Sequence, residues 1–348
     1  VSVGHGVLWD LHHFESHPIL GAFVGSVTAI GCVYLWGTDG VLYFVLVIPA
    51  INLLIAWSYV ARFPRQDHGI AWHDSRRQIR IMLGLGIVYM SNSLIQSFVQ
   101  LSVRSLVVRD IGLEGSGQYQ AAWGVSATSI SFILAAVGTN FYPWLTSVIQ
   151  DRVRANRLVN EQAEISLLLA APILMVLMLC ASLVIEILYS PLFGVAADIL
   201  RWQLTGDLLK VASHPIAYIL FARAQGRLCF LTELILSGSY FACVWFALPL
   251  VGLEATGMAY LAANLFYFLA VYILVHRVNE FRWSSRNVFF LFTLIIVAGV
   301  IHGIAWFSLQ QTFAISLVLI TGVTFYSIYR LNQLGNLGNW LYGKLSRK

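Results

Sequence analysis

Mostly apolar runs of about 17 to 25 residues, the length an α-helix needs to cross a bilayer, recur along almost the whole chain. They fall near 18–36, 40–61, 79–104, 118–145, 163–188, 193–221, 226–250, 252–275, 287–308 and 310–330. The pattern predicts an all-α polytopic membrane protein with about ten transmembrane helices. Between these runs, the longest segments, 62–78 and 146–162, are too short to fold as domains. Any chemistry therefore belongs within the membrane.

One run departs from the rest. Residues 193–221 carry Arg201, Gln203, Asp207, Lys210 and His214 through an otherwise apolar stretch. A charge at membrane depth costs at least ~2.5 kcal/mol, so such groups face a polar cavity or each other and mark a transport path. Gln203, Asp207, Lys210 and His214 follow one another at spacings of 4, 3 and 4, which puts them on one helical face. Asp207 and Lys210 are placed to pair, and the competing reading is an ion pair that only joins helices. His214 precedes Pro215, where a kink or hinge is expected, and packing between helices is its alternative role.

A second polar stripe, Asn92, Gln96, Gln100 and Arg104, repeats every fourth residue in the run at 79–104. Each step drifts by only about 40°, so all four can line one cavity wall. Amides bond sugar hydroxyls, and arginine binds phosphate with a planar fork. The alternatives are hydrogen bonds between helices for the amides and a snorkelling side chain for Arg104. Gln118, Gln120, Asn140 and the stretch VSATSIS (125–131) make the next run polar on one side, for substrate contact or for close packing. Glu233, a few residues inside the run at 226–250, is expected to pair with Arg223 or Arg227.

Composition agrees with a membrane protein: 59% of residues are hydrophobic, 11% are charged and the mean hydropathy is +0.77. Arginines gather in every second loop, at 62–80, 152–157, 223–227, 277–286 and beyond 330, whereas the other side has only Arg109 in its loops. Since short basic loops stay in the cytoplasm, both ends of the chain are predicted to be cytoplasmic. These arginines explain the net charge of +5 without a nucleic-acid partner. Cys32, Cys180, Cys229 and Cys243 lie in or near apolar runs and imply no disulfide framework. Trp36, Trp72, Trp144, Trp202, Trp283 and Trp340 stand near the ends of runs as candidate interfacial anchors. The histidines at 5, 12, 13 and 17 lack the order of a zinc site, and there is neither a P-loop nor a GxSxG motif. No metal, catalytic residue or bound cofactor is expected, and the reading is a secondary transporter, not an enzyme.

Leu331, Leu334, Leu337, Leu341 and Leu345 repeat at helical spacing before Lys344, Arg347 and Lys348, which predicts a basic amphipathic tail over 331–348. The pairs of runs at 18–61 and 226–275 share a glycine turn, a small-residue helix and a basic stop, as an internal repeat would. A chain that opens at Val1 with no signal-peptide layout is expected to be a fragment.

The stretches LRWQLTGDLLKV (200–211), ARAQGRLCFLTEL (222–234) and LPLVGLEATGMAYLAANLFYFLAVYIL (248–274) resemble the C-terminal half of Wzx-type O-antigen and lipid III flippases, as do GQYQAAWGVSATS and TNFYPWLTS upstream. That family belongs with multidrug extruders in a superfamily of two six-helix repeats around a central cavity. The resemblance implies that residues 1–78 end a first repeat with two helices and that 79–285 form the second, six-helix repeat. Residues 286–330 would add a further pair beyond the twelve-helix plan, and four helices would precede residue 18. It further implies transport of an undecaprenyl-pyrophosphate-linked oligosaccharide across the bacterial inner membrane, driven by a proton or sodium gradient. Its partners would be that glycan lipid, membrane lipids and other glycan-assembly proteins. Arg104 and Lys210 then stand as pyrophosphate contacts and Asn92, Gln96, Gln100 and Gln203 as polar lining. Asp207, His214 and Glu233 are candidates for ion coupling or charge pairing. A drug or cation antiporter of the same superfamily is the alternative, followed by a membrane glycan polymerase.

Overall fold

A computed structural model describes residues 72–138, 141–304 and 309–345, with helical stretches between 25 and 58. The chain divides into two compact units, 1–77 and 78–348. In the first, a short apolar helix covers Gly25–Trp36. The rest of the runs predicted at 18–36 and 40–61 and the histidines at 5–17 lie outside the described residues.

Ten helices follow: α1 (Trp72–Asp110), α2 (Leu113–Gly138), α3 (Phe141–Val148), α4 (Arg152–Leu179), α5 (Ala181–Leu188), α6 (Gly194–Ala222), α7 (Gly226–Val251), α8 (Ala255–Asn279), α9 (Ser285–Ile304) and α10 (Leu309–Leu345). Among the described residues there is no β-strand. The protein is an all-α polytopic membrane protein. Four stretches of described residues are long and apolar enough to cross a membrane, or five if the bent pair Leu113–Ala136 and Phe141–Val148 is one span. One of the four, Gly226–Asn279, holds α7 and α8, which reverse at Gly252 (φ +73°) and pack on each other. At ~1.5 Å per residue each half is long enough to cross by itself. The long helices α1 and α6 fall short of that apolarity because of the polar residues singled out above.

The polar helix α6 is the hub. It packs against α2, α3, α4, α5, α7, α8 and α9, and Leu200, Leu204, Leu208, Val211 and Ile216 along it are fully buried. Encasement by apolar neighbours is what lets a helix carrying Asp207 and Lys210 sit inside a membrane protein. Close approach depends on two glycines. A Cβ on Gly206 would stand 2.8 Å from the Tyr260 ring, and one on Gly257 would stand 2.8 Å from the Ile199 carbonyl oxygen. Small residues of this kind let helix backbones meet where no hydrophobic force drives them together. Large apolar side chains instead cover the outside, such as Phe246 and Leu250 on α7 and Phe325 on α10, as lipid contact demands.

Several expectations change in detail. Pro215 does not interrupt α6, which runs as one helix from residue 194 to 222. The run near 163–188 breaks at Cys180 into α4 and α5. The tail from 331 continues α10 to Leu345 without starting a new helix. Trp202 is no interfacial anchor, since its ring packs 4.3 Å from that of His302 with the indole nitrogen buried.

The last helix pair, α9 and α10, is docked against α4. Glu164 is buried and accepts from Arg286 at 2.9 Å and Arg330 at 2.7 Å. One and two turns earlier, Asn160 bonds Ser284, Asn287 and the Arg282 carbonyl, and Asn156 bonds Asn279. These positions, four residues apart, form a polar ladder on one face of α4.

Candidate functional site

A cavity of about 290 Å³ lies between α1, α2, α6, α7 and α8. Gln96 and Gln100 of α1 line it, as do Lys210 of α6, Tyr240 and Ser237 of α7, Tyr260 and Asn264 of α8, and Trp123 of α2. Two predicted amides and the predicted lysine therefore share one space.

The same stripe on α1 does not deliver its other members. Asn92 and Arg104 are absent from the cavity wall. A drift of about 40° per step accumulates to about 120° between residues 92 and 104, so one wall takes only the middle two. Arg104 is half-buried, its Nε has no hydrogen-bond partner among the described residues, and its charge acts on Tyr119. Tyr119 in turn shares a buried hydrogen bond at 3.1 Å with Tyr240, which lines the cavity. Beyond the predicted span, Arg109 sits over the Trp245 ring at 5.4 Å and ties the end of α1 to α7. Its hydrogen bonds to Asp110 hold that carboxyl below the usual carboxylate range.

On α6 the expected Asp207–Lys210 pair does not form. Asp207 is fully buried and accepts from Ser126 Oγ and from the Tyr260 hydroxyl, each at 2.8 Å. Two neutral donors from neighbouring helices thus satisfy the acid in place of the lysine on its own helix. Lys210 turns to the cavity with no carboxylate within 4.0 Å among the described residues. Its charge still acts on Asp207, on Glu233 and on His214. Gln203 is fully buried with both amide atoms lacking partners, and it does not reach the cavity wall. His214 packs edge-on against Tyr218 at 4.7 Å.

Glu233 also departs from expectation. It accepts from Ser237 at 3.0 Å, one turn along its own helix, whereas Arg223 donates to Asn279 and to the Ile149 carbonyl. Of the two predicted partners, Arg223 is thus engaged near the ends of α3 and α8, and among the described residues Glu233 has no ion pair within 4.0 Å with Arg223 or Arg227. Arg201, finally, donates to Asp198 at 2.5 Å and to Ser182 at 2.9 Å, away from the cavity.

Trp123, Tyr240, Tyr260 and Asn264 were not among the predicted residues. Aromatic and amide side chains are common in apolar helices, and only the packing of α2, α7 and α8 brings these four together. Ser126 belonged to the polar run VSATSIS, and its position 81 residues from Asp207 gave no sign of the bond it makes.

The family model for polysaccharide biosynthesis proteins matches residues 13–197, more than half of the chain. The chain belongs to that family. Among curated proteins, this polysaccharide biosynthesis family member is 23% identical to the lipid III flippase of Escherichia coli (strain K12) over 261 residues, or 72% of this chain. It spans 60% of that relative's length. Among solved structures it is similar to the lipid II flippase MurJ in an inward closed conformation, with a TM-score of 0.61 and 15% identity over 91% of this chain and 68% of that one. A transporter of the MOP superfamily from Pyrococcus furiosus aligns at a TM-score of 0.50 and 15% identity, covering 72% of this chain and 64% of that one. At such identities the two structures speak for the fold of this family member.

Proposed function

We propose that this polysaccharide biosynthesis family member is a flippase for an undecaprenyl-pyrophosphate-linked oligosaccharide, such as an O-antigen or enterobacterial-common-antigen unit. It moves the headgroup from the cytoplasmic to the periplasmic leaflet of the bacterial inner membrane, with both ends of the chain in the cytoplasm. The problem it solves is one of solvation. A sugar diphosphate cannot shed its water into hydrocarbon, whereas a cavity with a free ammonium and several amides replaces those hydrogen bonds while the lipid tail stays in the bilayer. The observation that carries this reading is Lys210, which lines the same cavity as Gln96 and Gln100 with no carboxylate within 4.0 Å among the described residues. The lipid III flippase relative points to the same class of cargo.

Transport proceeds by alternating access, with the cavity opening first to one side and then to the other. Asp207, Glu233 and His214 cluster electrostatically around Lys210 and are the groups through which a proton or sodium gradient drives the cycle. A drug or cation antiporter would turn its carboxylates to the cavity. Here Lys210 is on the wall, and neither Asp207 nor Glu233 is.

Replacement of Lys210 by Ala in the full-length protein tests the reading through surface glycan in cells. Glycan export is expected to fall at least about tenfold, since loss of a charge-assisted contact removes about 1.5 to 3 kcal/mol. Lys210→Arg should retain part of it. Normal glycan at a normal protein level in the Ala variant would end the proposal.

A further inference from the structure

The cavity has one wall that a site for diphosphate alone does not call for. Trp123 stands on it beside Tyr240 and Tyr260, and Asn264 lies one turn beyond Tyr260. Tyr260 lies perpendicular to the Trp123 ring at 5.6 Å, and Tyr240 and Tyr119 lie tilted to it, each at 6.1 Å, so three tyrosines hold the indole in place. Asn264 is only 1% exposed. Its amide nitrogen donates to the Tyr260 carbonyl at 2.9 Å, and its Oδ1 is left buried without a donor.

A buried acceptor without a partner bears the cost of its lost hydration, so on a cavity wall it is a place for a donor that enters the cavity, a water or a ligand group. A phosphate cannot be that donor, because its ionised oxygens only accept. A hydroxyl or an acetamido N–H can. An indole, for its part, offers a flat face of negative potential that suits the C–H face of a pyranose, whose hydroxyls project sideways to neighbouring amides. The cavity volume of about 290 Å³ sits at the foot of the range of roughly 300 to 1,000 Å³ typical of small-ligand pockets, which suits one ring and not a chain of several.

We propose that this wall seats a single hexopyranose of the lipid-linked substrate. The ring stacks on Trp123, donates a hydroxyl or acetamido hydrogen to Asn264 Oδ1 and bonds Gln100, beside the diphosphate held by Lys210. The inference rests on the flippase reading and deepens it, since it divides one cavity into a diphosphate side and a sugar side.

Binding of two probes to the full-length protein in nanodiscs separates the two. One is undecaprenyl pyrophosphate, and the other is the same lipid with a single N-acetylhexosamine. The sugar is expected to tighten binding to the unaltered protein by roughly threefold to tenfold. Trp123→Leu and Asn264→Leu should each erase most of that increment while binding of the sugar-free lipid stays as it was, which also shows that the variants are folded. If one variant fails to fold, the other decides. Equal binding of the two lipids by the unaltered protein, or an equal loss for both lipids in the variants, overturns the sugar seat and leaves the flippase reading standing. Failure of both lipids to bind the unaltered protein overturns the sugar seat and the flippase reading together.

Discussion

The hydroxyl of Tyr260 donates to the carboxylate of Asp207 at 2.8 Å, so the acid on the central helix is held from α8 and not by the lysine three residues along its own helix. Ser126 adds the second donor from α2. This arrangement binds three helices at one buried atom pair and leaves Lys210 free for the cavity. Tyr260→Phe keeps the ring and removes the donor, and the loss of a hydrogen bond to a buried acid is expected to cost about 1 to 3 kcal/mol. Thermal unfolding in detergent measures it, and an unchanged midpoint would mean that the bond contributes nothing.

Gly206 stands behind the same tyrosine. A methyl group there would lie 2.8 Å from Tyr260 Cδ1 and 3.2 Å from the Leu261 Cα, so one side chain and a backbone must both give way. Gly206→Ala is expected to destabilise the protein by about 1 to 3 kcal/mol, and Gly257→Ala to do so as well, since its methyl would meet the Ile199 carbonyl. Gly238→Ala, on the open face of α7, has nothing within 4 Å and should be neutral or gain up to about 1 kcal/mol from helix propensity. Equal melting curves for all three variants would contradict the close approach of α6 to α8.

Glu164 accepts from two arginines that differ in burial, with the Arg330 side chain 15% exposed and that of Arg286 51% exposed. Removing Arg330 takes away the better-buried of the two bonds and leaves the acid with Arg286 alone, whereas Arg286 is itself well screened by solvent. Arg330→Ala is therefore expected to cost about 1 to 3 kcal/mol and Arg286→Ala less than about 1 kcal/mol. Limited proteolysis of α9 and α10 reads the result, and the reverse order of sensitivity would place the anchor of this helix pair elsewhere.

Glu233 has a single neutral hydrogen-bond partner, Ser237, which itself lines the cavity. Asp207, by contrast, is sealed by two donors and fully buried. If Glu233 couples transport to an ion gradient, Glu233→Gln keeps the size and the Ser237 contact but loses the exchangeable charge. Transport in vesicles is then expected to become insensitive to an imposed proton or sodium gradient at an unchanged protein level. Gradient-driven transport of normal size in this variant would assign coupling to another group.

The helices were legible in the sequence because a bilayer leaves the backbone no other way to satisfy its hydrogen bonds, and the apolar runs mark their lengths. The polar stripe on 193–221 was legible for a related reason, since charge in such a run is too costly to be incidental. Its hub position, at the centre of seven other helices, was not. Spacing on α6 led to an expected Asp207–Lys210 pair, whereas only Lys210 lines the cavity and Asp207 bonds Ser126 and Tyr260, because a helix face says nothing of which neighbours press against it. Spacing on α1 likewise overreached: four residues of a stripe were expected on one wall, and the slow rotation of the helix leaves two there.

From the sequence alone come the all-helical membrane architecture, the location of the buried charges and the membership of Gln96, Gln100 and Lys210 in polar faces, because length, hydropathy and helical period are properties of a single segment. Only the tertiary structure decides that Asp207 answers to Ser126 and Tyr260, that Glu233 answers to Ser237 and not to an arginine, that Glu164 anchors the last helix pair, and that Trp123 and Asn264 stand beside Lys210. Hydrogen bonds and ion pairs at these places join atoms on helices up to 166 residues apart, and the choice among equally suitable donors is made by the packing that brings one of them within reach.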